Sequence, residues 1–181
     1  KKVFSIFLNN KNSKTRPIYV NNYKRLGKLN YIKFLRDIGK HFTINKMLSF
    51  DSVKLRLERE QSLSYMEFNY MILQAYDFLE LNKTKNCLMQ IGGSDQWGNI
   101  VNGVELVKRY SSKQVYGLTT PLITLASGAK MGKTEKGAVW LDKKLLSSYD
   151  YWQFWRNTDD RDVIKFLKMF TDKDVNEIES K

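Results

Sequence analysis

The sequence predicts an α/β domain built on a parallel sheet. Three observations carry that prediction. Short apolar runs, Cys87–Ile91 and Gly117–Leu125, alternate with segments of helical period. Ser64-Tyr65-Met66-Glu67 has the form of a capping box and stands directly before an apolar stripe of Phe68, Met71, Ile72, Ala75 and Leu79. Gly92-Gly93 then reads as a turn between a strand and a helix.

Taken in order, Val3–Leu8 is apolar enough for a strand, and the Asn- and Lys-rich stretch after it, with Pro17, reads as loop. Asn30 caps a helical pattern running to about Lys40, with Tyr31, Phe34, Leu35 and Ile38 on one side. A second amphipathic segment begins at Asp51, and the strongest helix runs from Ser64 to Leu81. After the Cys87–Ile91 strand, Asp95 is placed to cap a helix carrying Val101, Val104, Leu106 and Val107. The Gly117–Leu125 strand leads into a glycine- and lysine-rich loop, Ser127–Lys136, and then a short apolar stretch, Ala138–Leu141. From Tyr149 the pattern is helical again, and Thr158 or Asp159 opens a last helix through Phe166, Leu167 and Phe170.

Lys and Arg number 31 against 19 Asp and Glu, a formal charge of +12 that favours polyanions but also fits a merely solvated basic surface. One cysteine, Cys87, excludes an intrachain disulfide and fits a reducing compartment. One histidine, His41, excludes a zinc site built on several histidines, and no metal site is expected from this chain. No stretch reaches membrane-spanning length. The first residue is Lys1 and the last stretch is the polar run Asn176–Lys181, so we read the chain as an excerpt.

Chemistry has three candidate places. Tyr70, Gln74 and Asp77 stand at i, i+4 and i+7 of the strongest helix and line one face, where a phenol, an amide and a carboxylate can grip an amino acid. The same face also reads as the wet side of an amphipathic helix. Gly92-Gly93-Ser94-Asp95-Gln96 lies at a strand's carboxyl end, where open parallel sheets bind ligands, although a tight turn with an Asp cap explains much of it. Gly128-Ala129-Lys130-Met131-Gly132-Lys133-Thr134 resembles a P-loop but has Ser127 where the first glycine is required. It remains either a lysine loop for a triphosphate or a solvated basic turn.

Together these places bring a resemblance. The runs Tyr70–Asp77, Gln90–Ile100, Lys130–Thr134 and Trp152–Asp162 are similar to those of the bacterial and organellar tyrosyl-tRNA synthetases, a class I family, and the resemblance spans about Leu29 to Thr171. It implies the second half of a Rossmann-like catalytic domain over residues 1–148, including the connecting dimer insertion around 42–69. Residues 149–181 would begin a helical region leading to the anticodon-binding part. Phe42, Met47, Leu48, Phe50 and Tyr65 fit either that interface or an ordinary core. The resemblance further implies that Tyr70, Gln74 and Asp77 hold substrate tyrosine, chiefly its amino group. Gly93, Asp95 and Gln96 would surround the adenylate ribose and the bound amino acid. Lys130, Lys133 and Thr134 would close over the ATP phosphates, with Lys133 the usual ATP contact.

The implied activity is ligation of tyrosine to tRNA(Tyr) through tyrosyl-adenylate. ATP is a substrate, Mg²⁺ accompanies its phosphates, and the enzyme is a homodimer with no membrane partner in a bacterial cytoplasm or an organellar matrix. The family's paired-histidine motif is absent, since His41 is alone, and so are the first strand, with the residue expected to read the substrate phenol, and the C-terminal RNA-binding region. This stretch by itself is therefore expected to be inactive. A tryptophanyl sibling, or a non-catalytic descendant that binds RNA or protein, are the competing classes.

Overall fold

The computed structural model describes residues 2–8, 14–131 and 138–180. They fall into two compact units, one of Val20–Leu122 and one that joins Lys1–Tyr19 to Ile123–Lys181.

The chain begins with a helix, α1 (Lys2–Phe7), where a strand is expected from Val3–Leu8. A lone strand would leave its backbone donors and acceptors without a ladder, whereas a helix pairs them internally. Val20–Leu122 then contains α2 (Tyr23–Leu26), α3 (Tyr31–Asp37), a 3-10 turn at Gly39–His41, α4 (Ile44–Leu48), α5 (Asp51–Glu58), α6 (Tyr65–Lys85), β1 (Met89–Gly93), α7 (Trp97–Ser111) and β2 (Tyr116–Thr120). Asn30 caps α3 as expected, its Oδ1 accepting the Lys33 N–H at 2.9 Å. The helix tightens into the 3-10 turn after Asp37, short of Lys40.

α6 carries both halves of the capping box. Ser64 Oγ accepts the Glu67 N–H at 3.2 Å, and Glu67 Oε2 accepts the Ser64 N–H at 3.0 Å. Arg56 adds a 2.9 Å bond to the same carboxylate. These donors hold the Glu67 carboxyl down at about 2, the Arg56 contact first and the Ser64 contacts after it. The helix ends at Asn86, which adopts the left-handed conformation common at helix C-termini. Its buried stripe of Met71, Ile72, Ala75, Phe78 and Leu79 packs with Leu106 and Val107 of α7, with Val115, and with Phe34, Ile38, Met47 and Val53 from the preceding helices. Full burial of such side chains is worth roughly 1.5–3 kcal/mol each.

β1 and β2 pair in parallel, from Met89 opposite Tyr116 to Gly93 opposite Thr120. α7 is the crossover between them, the arrangement that a parallel pair requires. Gln90, Gly92, Gly117 and Thr119 are half-buried, while Met89, Ile91, Tyr116 and Leu118 are exposed. Boundaries differ from expectation at both strands. β1 begins at Met89 and runs through the glycines expected to form a turn, and β2 stops at Thr120, before Pro121, which has no N–H for a ladder.

In the second unit, Ile123–Met131 folds back on itself. Thr124 and Lys130 form an antiparallel bridge, Leu125 donates to the Ala129 carbonyl at 2.8 Å, and Met131 donates to that of Ile123 at 2.9 Å. The reversal uses Gly128 at φ +82°, open to glycine and strained for other residues. Ala138–Leu141 is irregular. α8 (Ser148–Arg156) is capped by Ser147, and α9 (Asp160–Phe170) by Asp159 rather than Thr158, through the Arg161 N–H at 3.0 Å. A short α10 (Val175–Glu179), not anticipated in the polar tail, buries Ile178. Trp155 meets Phe154, Phe166 and Phe170 edge-on at 5.1–5.7 Å between ring centres. Among the described residues no helix is long and apolar enough to cross a membrane.

Candidate functional site

Helical spacing sets Tyr70, Gln74 and Asp77 on one face of α6, opposite the buried stripe. Tyr70 is exposed, and Gln74 and Asp77 are half-buried. Asp77 does not face open solvent alone. Arg25, from α2, forms an ion pair with it, and the two side chains are only 20% and 16% exposed. Arg25 also donates to Asn22 Oδ1 at 2.9 Å. Burial pushes the Asp77 carboxyl above its ordinary range, and the Arg25 guanidinium and the Asn22 side chain pull against that. A carboxylate held this way is oriented before any ligand arrives. Nothing in the sequence marks Arg25 as its partner, because 52 positions separate them and only the fold joins them.

The second group sits at the carboxyl end of β1. Gly93 closes the strand, paired with Thr120, and a Cβ there would lie 2.7 Å from Asp95 Oδ1 and 2.9 Å from Leu122 Cδ2. A larger residue there would have to displace the ends of those two side chains. Asp95, however, does not cap α7. The backbone makes a 3-10 turn over Ser94–Gln96 first, so the N-cap falls on Gln96, with no side-chain cap bond. That leaves the exposed Asp95 carboxylate off the helix end. Gln96 is half-buried and accepts from Asn99 Nδ2 at 3.3 Å.

The third group is divided. Lys130 is exposed on the second arm of the Ile123–Met131 hairpin. Lys133 and Thr134 lie outside the described residues. The α6 face and the β1 end belong to Val20–Leu122, and Lys130 belongs to the other unit. Among the described residues no three His, Cys, Asp or Glu side chains converge to hold a metal ion.

A family model described as tRNA synthetases class I (W and Y) matches residues 1–181. The chain belongs to this class I synthetase family. It is 79% identical over 179 residues to a tyrosine–tRNA ligase of Pelagibacter ubique (strain HTCC1062), which covers 99% of the chain and 44% of that relative. A tyrosine–tRNA ligase of Zymomonas mobilis is 61% identical over 178 residues, again 44% of its length. Among solved structures, a C-terminally truncated mitochondrial tyrosyl-tRNA synthetase of Aspergillus nidulans matches with a TM-score of 0.77 at 34% identity, over 99% of this chain and 51% of that one. The chain therefore spans less than half the length of the curated relatives it matches. The class I synthetase fold expected from the sequence holds, with β1–α7–β2 as its parallel element.

Proposed function

We propose that this chain is the second half of the catalytic domain of a tyrosine–tRNA ligase, with residues 149–181 opening the helical region that leads toward anticodon binding. The observation that carries the reading is the oriented polar face of α6, where Tyr70, Gln74 and the Arg25-braced Asp77 offer hydrogen-bond partners to a bound tyrosine. Identity of 79% to a tyrosine–tRNA ligase supports it, whereas the family model spans both tryptophan and tyrosine enzymes.

The reaction has two steps. A tyrosine carboxylate oxygen attacks the α-phosphorus of ATP, the bond to the bridging oxygen breaks, and pyrophosphate departs. The terminal ribose hydroxyl of tRNA(Tyr) then attacks the acyl carbon, loses its proton, and AMP leaves. No side chain becomes covalently attached, so positioning and charge stabilisation do the work. Tyr70, Gln74 and Asp77 fix the amino acid, Gly93 admits the adenylate to the backbone, and Asp95 and Gln96 accept from ribose and substrate. Lys130, Lys133 and Thr134 meet the phosphates, the two lysines supplying positive charge and Thr134 a hydroxyl donor against the negative charge that builds on the departing pyrophosphate. Mg²⁺ would travel with those phosphates; the described residues provide no cage of their own for it.

The protein is further read as a homodimer acting in a bacterial cytoplasm or organellar matrix. In the insertion, Met47 is committed to the core and Phe42 and Phe50 pack against it, which leaves Leu48 and Tyr65 as exposed interface candidates.

The test is amino-acid-dependent ATP–pyrophosphate exchange by the full-length protein, comparing tyrosine, tryptophan and phenylalanine. Exchange with tyrosine alone is expected. Exchange with tryptophan instead would move the protein to the sibling enzyme, and a folded protein without exchange would favour the non-catalytic descendant.

A further inference from the structure

One buried carboxylate is not used by any of the proposed substrate contacts. Asp162, in the first turn of α9, has a side chain only 4% exposed. Its Oδ2 accepts the Ala126 N–H at 2.6 Å, and its Oδ1 accepts from Lys165 Nζ at 2.7 Å. Lys165, one turn further along the helix, also donates to the Thr124 carbonyl. Two side chains of one helix thus grip a donor and an acceptor on the first arm of the Ile123–Met131 hairpin.

Helix capping does not explain this arrangement. The cap of α9 is Asp159, which already accepts the Arg161 N–H. Burying a carboxylate is costly unless it is paired and hydrogen-bonded, and here both partners are supplied within the hairpin and the helix. Lys165 first, and the Ala126 N–H second, hold the Asp162 carboxyl below its ordinary value. The gripped arm is the one that orients Lys130, because Thr124 bridges Lys130 across the hairpin and Leu125 bonds Ala129.

We propose that Asp162 and Lys165 are positioning residues for adenylate formation, holding the Thr124–Ala126 arm so that Lys130 presents its charge to the ATP phosphates from a fixed place. This rests on the reading of the lysine loop given above. A lysine on a freely moving turn would reach the same charge only at an entropic cost, and small misplacements of a charge-stabilising group lower the rate of the chemical step.

The experiment uses the full-length protein with Asp162→Asn, Lys165→Met, Lys130→Ala and the Asp162→Asn/Lys130→Ala double variant. Asp162→Asn is expected to lower kcat/KM for ATP in tyrosine-dependent exchange about 10- to 100-fold, with equilibrium tyrosine affinity within about twofold of wild type. Lys165→Met, which keeps the Ala126 bond, shifts the same parameter in the same direction by less. In the Lys130→Ala background, Asp162→Asn costs little more, because both act through one contact. Unchanged ATP kinetics, a parallel fall in tyrosine affinity, or effects that simply multiply would each overturn the proposal. Hydrogen exchange without ATP supplies an independent readout: the hairpin amides of 123–131 exchange faster in Asp162→Asn while those of α6 do not, and an unaltered hairpin overturns the grip. A wild type without exchange for any amino acid would instead overturn the function reading, and the hairpin result would still be legible on its own.

Discussion

The α6 face and the hairpin that carries Lys130 present their polar groups in opposite ways. On α6 the face runs from the exposed Tyr70 to the half-buried Asp77, which is braced by Arg25 and Asn22. On the hairpin, Lys130 is exposed and its backbone bridges Thr124. The difference matches the two roles we propose for them. Choosing one amino acid needs polar groups whose direction is set in advance, since an unpaired buried group penalises the wrong ligand. Meeting a polyphosphate needs charge that can approach from outside, and direction matters less than position.

The largest effect that would sharpen this comparison is at Lys133. Lys133→Ala is expected to lower tyrosine-dependent exchange about 100-fold or more while tyrosine affinity stays near wild type. A large loss of tyrosine affinity would erase the distinction between the two regions. Next comes Asp77→Ala, expected to weaken tyrosine binding about 10- to 100-fold in equilibrium titration. Unchanged affinity would return that face to plain solvation. Arg25→Met is a smaller perturbation, about tenfold at most in tyrosine affinity, and it carries a signature in pH. Burial already raises the Asp77 carboxyl and Arg25 opposes the rise. Its loss lets the value climb further, so the carboxylate is protonated sooner as pH falls and the acid limb of tyrosine binding moves to higher pH. An acid limb that does not move would show that Arg25 is bystander packing.

The smallest effects concern support rather than ligand. Ser64→Ala removes half of the α6 capping box and should cost about 1 kcal/mol in denaturant unfolding, with ATP kinetics untouched. Glu67 adds a pH dependence of known sign. Its carboxyl is lowered from 4.5 to about 2, so its contribution is complete above about pH 4.5 and is lost as pH falls toward 2. Glu67→Gln should therefore flatten the acid decline of stability in that window, as followed by thermal unfolding.

The capping box, the α6 stripe and the α8–α9 turn are legible in the sequence because each is written in residues a few positions apart, and the parallel crossover is legible from the alternation of short apolar runs with a helical segment. Ser64 and Glu67 announce one another at i and i+3, and Tyr70, Gln74 and Asp77 share a face by helical arithmetic alone. What escaped was written across distance. Arg25 reaches Asp77 over 52 positions, and Asp162 reaches a backbone amide 36 positions away that has no side-chain signal at all. Two errors were local ambiguities. Val3–Leu8 is too short for period to separate helix from strand, and the Asp95 cap failed because a 3-10 turn intervened. Pro121, with no N–H for a ladder, is the sequence signal that marks the end of β2.

The parallel pairing of β1 with β2 has a consequence for the order in which the chain acquires structure. Neighbouring strands in a hairpin can zip from their turn, but these two cannot touch until α7 has formed and carried the chain back. α7 also buries Ile100, Leu106 and Val107, so its docking on α6 can precede the sheet and bring the β2 segment to β1. Substitutions in the α6–α7 seam are expected to slow folding more than equal losses of stability within either strand, as refolding kinetics would show.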